Sequence, residues 1–317
     1  SAERVRDELL KILVEPGAAD NLLLLDAFDL LQYTLPEVAA MKGVEQSLPH
    51  HWDVFEHTLR VIDALELILA RILGLPQAAE APIMQSLIPA FAWDGLLFTL
   101  SPYADSLRAH LKVDEGDLEH SRLSLLKWAA VFHDIGKPEA RTIDEAGRAR
   151  FITHEEVGAD LAAERLRALR FNNDAINRVT GIVRSHMRPH HLAKGEVTRR
   201  AIYRFYQATS DYGVDVLLLS LADRLGTHGP DLKREYWVPR IGLIDELLFA
   251  YFEQGSPIVA PPQLVTGDDV MLALNLNPGK QIGSILEAIR EAQAAGEVKT
   301  KAEALEVART TFKRLNV

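Results

Sequence analysis

The side chains of this chain best suited to chemistry are His133 and Asp134, adjacent in "VFHDIGKP", with His57, His154, His186 and Asp223 spread over other apolar stretches. Imidazole nitrogens and carboxylate oxygens together suit divalent ions such as Mg, Mn, Fe, Ni or Zn. Burying a charged pair in an apolar segment is costly unless a cation or hydrogen bonds compensate it. One histidine on an apolar helix face is ordinarily a hydrogen-bonded core residue. Recurrence on five separate segments, with two carboxylates in the set, points instead to a shared metal site. Asp223, flanked by leucines in "LLLSLADRLG", carries most weight. Its neighbour Arg224 projects about 100° away around a helix and does not face it. The chain contains no cysteine, which excludes thiolate ligands, disulfides and a cysteine nucleophile.

The segments that must position these residues have helical periodicity, so the 317-residue chain reads as all-α, with at most one small β-hairpin. Expected helices cover 3–14, 20–32 and 54–73, the last carrying His57 on the stripe of Val54, Val61, Ile62, Leu65 and Ile68. Pro36 opens a short helix, and 43–49 reads as a loop. A Pro/Ala-rich loop over 76–89 precedes "AFAWDGLLFTLSPYADSLRAHL", helical but interrupted at Ser101-Pro102, and "VDEGDLEH" follows as a polar loop. A helix over 122–135 carries the His-Asp pair near its C-terminus, where Gly136 and Pro138 end it. "RTIDEAGRARFI" reads as the hairpin. Thr153 and Glu156 have capping-box spacing, which puts His154 in the first turn of its helix. Helices over 173–187 and 213–225 carry His186 and Asp223. Beyond "GSPIVAPPQLVTG" lies a final helical module with caps at Thr266 and Thr300.

The ordered set His57, His133-Asp134 and Asp223 resembles the H…HD…D signature of the HD-domain metal-dependent phosphohydrolases. His154 and His186 resemble the two further histidines of members that hold two ions. The segments "SAERVRDELLKIL", "LPEV", "HHWDVFEHTLRV", "VFHDIGKP", "FITHEEVGADLA" and "IVRSHM" look like the body of bacterial tRNA nucleotidyltransferases, the CCA-adding and poly(A)-polymerase family. "VTGDDVMLALNLNPGKQIGSILEAIREAQAAGEVKTKAEAL" looks like their C-terminal region. The resemblance implies a helical HD core over 49–230, an RNA-binding-body-like segment over 1–48 and a C-terminal module over 231–317. The Gly-Ser loop and Asp-x-Asp pair of the family's nucleotide-adding head have no counterpart here. Asp268-Asp269 reads as a helix cap, and no nucleotide-transfer site is expected.

The resemblance further implies one or two divalent ions held by His57, His133, Asp134, His154, His186 and Asp223. Asp134 bridges two ions, and His190 or His191 is a lesser candidate ligand. Such an ion activates water for attack on phosphorus. Lys137 is then the candidate catalytic clamp on a phosphate oxygen, beside Asp134, and Arg184 and Arg188 are candidate substrate contacts. The implied substrate is a phosphorylated nucleotide or RNA end, with tRNA a candidate partner. His50 and His51 are expected in a loop or facing RNA, and His110, His120 and His228 in polar surroundings without special roles. "MRPHH" does not match the Gly-Tyr-Pro element of cyclic-dinucleotide phosphodiesterases.

The formal charge of −10 makes the chain a poor general nucleic-acid binder, and no DNA partner is expected. From Pro278 onward seven basic residues face five acidic ones, a local excess of +2 that lends modest support to a competing reading. In that reading the chain is a tRNA-binding body whose metal is structural or vestigial. A guanosine-polyphosphate hydrolase fits the ligands but not the family-like termini. No apolar run has membrane-spanning length, and the N-terminal segment, without an initiator Met as in a processed or trimmed chain, is charged and amphipathic rather than a secretory leader. A cytoplasmic setting without membrane contact is expected.

Overall fold

Helical periodicity becomes helix along most of the chain. The computed structural model describes residues 1–75, 88–111, 121–255 and 258–315. Apart from 88–89, the expected loops over 76–89 and 113–120 lie outside these residues, as does His120. The described part is predominantly all-α, with one two-stranded antiparallel sheet. The longer helices are α1 (Ala2–Val14), α2 (Ala18–Ala27), α3 (Val54–Leu73), α4 (Ala90–Leu100), α5 (Ala104–Leu111), α6 (Arg122–Phe132), α7 (His154–Ala168), α8 (Asn173–Ser185), α9 (Arg199–Thr209), α10 (Gly213–His228), α11 (Arg234–Phe249), α12 (Gly267–Leu274), α13 (Lys280–Ala294) and α14 (Lys301–Leu315). No described helix is long and apolar enough to cross a membrane.

The described residues divide into two compact units, Ser1–His191 with Asp211–Asp245, and Leu192–Ser210 with Glu246–Val317. In the first unit α6 is central. Every residue from Ser124 to Phe132 is buried, and the helix packs on α1, α3 and α8. α3 also packs along α10, and α7 pairs with α8. In the second unit Val265, Val270, Ile282, Ile285, Ile289 and Ala304 form a small core where α12, α13 and α14 meet. Thr266 and Asp269 form the expected capping box, and Glu303 bonds Thr300 reciprocally.

Three local expectations change. The helix expected over 20–32 breaks after Ala27, because Asp29 is left-handed (φ 58°), and resumes as Leu31–Thr34. α6 ends at Phe132, so His133 and Asp134 occupy the turn that follows, tightened by Ile135 N donating to Phe132 O at 3.2 Å. The Thr153 capping box does not form. Thr153 sits at φ 64° and its hydroxyl donates to Ile152 O, yet His154 still opens α7. The hairpin matches its expectation, with β1 (Arg141–Ile143) antiparallel to β2 (Ala149–Phe151) and Arg141 opposite Phe151.

A buried ion pair ties the N-terminal helices to this core. Lys127 Nζ donates to Glu66 Oε1 at 2.8 Å and to Val14 O at 2.7 Å, while Glu66 accepts from Gly17 N and Ala18 N. The ammonium thus meets the C-terminal carbonyls of α1, and the carboxylate meets the N-terminal amides of α2, each matching the helix dipole. Asp63, one turn earlier on α3, shares no such cation. Burial, Glu66 and Asp20 push its carboxyl up to about 7. From about pH 4 to about pH 7 the folded state holds a proton that the unfolded state releases, so this stabilisation is present at low pH and lost as pH rises through 7. Asp63→Asn should therefore stabilise the protein by about 1–3 kcal/mol at pH 8 and by much less at pH 4. Urea unfolding at both pH values measures this, and an equal effect at both contradicts it.

Candidate metal centre

Three helix ends, one turn and the body of α10 bring the six acid–base residues together. Asp53 caps α3, its Oδ1 accepting from Glu56 N at 2.8 Å and its Oδ2 from Gly43 N at 2.6 Å. One turn later His57 is completely buried. The turn after α6 supplies His133 and Asp134, α7 begins with His154, His186 follows α8, and α10 supplies Asp223.

Two close backbone approaches set this convergence. A Cβ on Gly136 would lie 2.2 Å from His154 O and 2.5 Å from Gly158 N, so only glycine lets the His-Asp turn press against the start of α7. A Cβ on Gly226 would lie 2.8 Å from Val61 Cγ2 and 3.0 Å from Val61 N. That contact seats α10 on α3, three residues from Asp223.

The cluster has two halves that share one carboxylate. Asp134 Oδ2 lies 3.4 Å from His57 Nε2 and 3.2 Å from His133 Nε2, and His57 Nε2 is 3.2 Å from Asp223 Oδ1. Asp134 Oδ1 faces the other way, 3.4 Å from His154 Nε2 and 3.8 Å from His186 Nε2. Ligand atoms of His57, His133 and Asp223 lie within 4.8 Å of one another, as do those of Asp134, His154 and His186.

The ring tautomers decide what these distances mean. His133 Nδ1 donates to Ala130 O at 2.8 Å, His154 Nδ1 to Phe151 O at 2.7 Å and His186 Nδ1 to Val183 O at 2.6 Å. A carbonyl only accepts, so Nδ1 carries the hydrogen and the neutral ring turns an Nε2 lone pair into the cluster. His154 and His186 then aim lone pairs at each other across 3.2 Å, and His57 and His133 approach across 3.4 Å. Such edges match a coordination shell with bonds of about 2.0–2.2 Å, for which neighbouring ligands stand roughly 3–3.5 Å apart. The donor set fits a divalent ion in each half.

The electrostatics agree. Burial holds His57 below its usual range and, with His154 beside it, pushes His186 down to about 3. Burial opposes charge on Asp134 and Asp223, but His133 and Lys137 for the first, and His57 for the second, hold both well below the usual carboxylate range. Burial likewise disfavours charge on His133, yet Asp134 outweighs it and raises the ring. The anionic cluster thus demands positive charge at its centre. Lys137 Nζ supplies some, 2.6 Å from Asp134 Oδ2 and donating to Gln46 Oε1 at 2.7 Å.

A cavity of about 350 Å³ opens onto the cluster, its walls including Asp134, Lys137, His154, His186 and Asp223. Asp223 is less enclosed than its leucine flanks suggest, its side chain being 28% exposed where the cavity reaches it. Arg184 and Arg188 do not line this cavity. Arg184 stands two residues before His186, is exposed, and pairs with Glu156 at 2.6 Å and Asp160 at 3.3 Å. Arg188 is exposed. His190 lines the cavity wall and does not belong to either ligand group, nor does His191.

His50, expected in a loop or facing RNA, packs edge-on to His57 with ring centroids 5.2 Å apart and lines the cavity. His51 lies 3.1 Å from Asp231. His110 and His228 are less ordinary than expected: His110 Nε2 bonds Asp215 Oδ1 at 3.0 Å, and His228 is buried. Sequence reasoning missed Ser220, Thr227 and Arg240 on the cavity wall, and Gln46, which accepts from Lys137. Ser220, Asp223 and Thr227 recur at helical spacing on α10, a polar stripe that marks one face of an apolar helix.

Residues 97–227 match the HD domain family. The chain carries an HD domain. His57 lies outside the matched range and is brought to it by α3. Residues 1–42 match the "Probable RNA and SrmB-binding site of polymerase A", and 242–308 match tRNA nucleotidyltransferase domain 2. The chain is 34% identical over 303 residues to the CC-adding tRNA nucleotidyltransferase of Thermus thermophilus, covering 95% of this chain and 55% of that protein. It is 33% identical over 303 residues to the A-adding tRNA nucleotidyltransferase of Deinococcus radiodurans, covering 95% and 56%. The CC-adding enzyme of Geobacter sulfurreducens is 56% identical over 41 residues, 13% of this chain and 10% of that protein. The chain spans about half the length of the first two relatives and matches their body and tail region. HD domains form a hydrolase superfamily, whereas these relatives are nucleotidyltransferases.

The glycine contact generates a direct test. Gly136→Ala should cost about 1–3 kcal/mol by forcing the His-Asp turn off α7, and should reduce the thermal stabilisation conferred by Mn²⁺. Scanning fluorimetry with and without Mn²⁺ reads both effects, and an unchanged melting temperature contradicts the close approach.

Proposed function

We propose that this chain is a metal-dependent phosphohydrolase of the HD type, hydrolysing a phosphomonoester or cyclic phosphodiester of a nucleotide or an RNA end. The observation that carries this reading is Asp134, which turns one oxygen toward each histidine pair. In the proposal His57, His133, Asp134 and Asp223 would hold one ion, and Asp134, His154 and His186 would hold a second. The metal is divalent: Mn, Ni, Mg, Zn or Fe. A divalent ion in such a site supplies Lewis acidity, making water a competent nucleophile at neutral pH and drawing charge from a phosphoryl oxygen. The backbone carbonyls at Ala130, Phe151 and Val183 fix three rings as Nε2 ligands and prevent their rotation. Lys137 orients Asp134, balances part of its charge and contributes a cation to the cavity wall where substrate phosphate enters. In this reading 49–230 forms the hydrolase domain, between an RNA-binding segment over 1–48 and a C-terminal module over 231–317, in a cytoplasmic protein.

One alternative has its own support. The match of 1–42 to an RNA-binding segment, and the tRNA nucleotidyltransferase relatives, favour a tRNA-binding body with a structural or vestigial metal. The two readings separate on Asp134→Ala. The hydrolase reading expects turnover of 2′,3′-cyclic nucleotides, 2′-nucleotides or an aryl phosphate in Mn, Ni, Mg or Zn to fall to background, with tRNA affinity retained. Wild-type protein that binds tRNA and hydrolyses none of these substrates contradicts it.

The halves of the cluster also separate. His186→Ala should lower bound metal from two ions per chain to one, by elemental analysis after Mn²⁺ loading. Two ions retained, or both lost, contradicts the division around Asp134.

A further inference from the structure

Four cations line the cavity, and two of them have acidic partners. Lys137 is committed to Asp134, and Arg150 Nε lies 2.9 Å from Asp144 Oδ2. Arg224 and Arg240 make no ion pair among the described residues. Arg240, on α11, is only 6% exposed. Its contacts are two long bonds to neutral groups, Nη1 donating to Ser220 Oγ and Nη2 to His190 Nδ1, both at 3.4 Å. Arg224 leaves its Nε buried without a partner and rests 6.0 Å from the centre of the Tyr236 ring.

An uncompensated buried guanidinium is expensive, and a well-packed apolar side chain of similar length ordinarily serves stability better. Burial and the neighbouring Arg224 pull Arg240 down to about 10, which still leaves it charged at neutral pH. The location tells what the charge is for. Ser220 lies about one turn before Asp223 on α10, so Arg240, which bonds Ser220, stands on the same cavity wall as Asp223. A planar guanidinium with free donors binds phosphate oxygens in pairs, which a lysine does not. Leu48, Pro49, Phe151 and Met187 also line the cavity and offer apolar surface for a base or ribose. The cavity volume of about 350 Å³ suits a nucleotide-sized group.

We infer that Arg240, with Arg224 beside it, is a phosphate-binding subsite of this cavity, and that its ligand is a phosphate ester of a nucleoside, free or at an RNA end. The inference names the substrate-recognition residues of the proposed hydrolase and rests on that reading for the reaction, though not for binding. In this inference Arg240 is the binding residue, whereas the sequence-based candidates Arg184 and Arg188 do not line the cavity.

The test uses the full chain, with and without Mn²⁺, as wild type, Arg240→Met and Arg240→Lys. Calorimetric titration compares adenosine, adenosine 2′-monophosphate and an adenylyl dinucleotide ending in a 2′,3′-cyclic phosphate. Wild type should bind both phosphate esters roughly 10- to 100-fold more tightly than adenosine. Arg240→Met should lose that preference, Arg240→Lys should keep part of it, and the melting temperature of Arg240→Met should hold or rise. The tighter of the two esters tells a free nucleotide from an RNA end. In turnover, KM should rise for Arg240→Met far more than kcat falls. Unchanged ester affinity in Arg240→Met overturns the inference. So does a large loss of stability in both variants, which assigns the guanidinium a structural role. A wild type that binds esters through Arg240 but hydrolyses none preserves the subsite and removes the hydrolase reading.

Discussion

Two ionised carboxylates and a set of imidazole lone pairs converge on one buried volume, and this convergence is unstable by itself. The facing lone pairs of His154 and His186, 3.2 Å apart, repel, and desolvation penalises every charge present. Positive charge at the centre resolves the conflict. Without a metal, the resolution is partial: a proton favoured on His133 and the Lys137 ammonium against Asp134. The proposed divalent ion in each half would satisfy all six side chains at once. The rest of the first unit makes sense as the frame that holds the strained cluster together.

That frame uses few devices. Gly136 and Gly226 remove the Cβ atoms that would otherwise hold the His-Asp turn off α7 and α10 off α3. The Asp53 and Asn172 caps fix where α3 and α8 begin, and hence where His57 and His186 fall. Backbone carbonyls then lock three rings at Nδ1. None of these groups is proposed to ligate a metal, yet each helps set where a candidate ligand falls.

The ligand set was legible in the sequence because each polar residue interrupts an apolar helix pattern, and such interruptions need a reason. The pairing within the set came only with the family resemblance, and its geometry was not legible. It depends on which oxygen of Asp134 faces which histidines, a consequence of His133 and Asp134 lying in the turn after α6 rather than on a helix. The Thr153 cap misled because capping-box spacing says nothing of φ. His154 must bend back to Phe151 O, and the left-handed Thr153 provides that bend. Arg240 escaped notice because a buried arginine spells the same as a surface one. A signal existed: Trp237, Arg240, Ile244 and Leu247 share one stripe of α11, and the other three are among its fully buried positions. The RNA-related segments and the HD match leave both readings of the chain in play, and the cluster chemistry favours the hydrolase.

Crystallography of the Mn²⁺-soaked protein, using the anomalous signal of the metal, tests the central claim most directly. The account predicts two peaks, both about 2.0–2.3 Å from an oxygen of Asp134, one also ligated by His57, His133 and Asp223, the other by His154 and His186. No peak at this position, with the six side chains keeping the same separations, would contradict it.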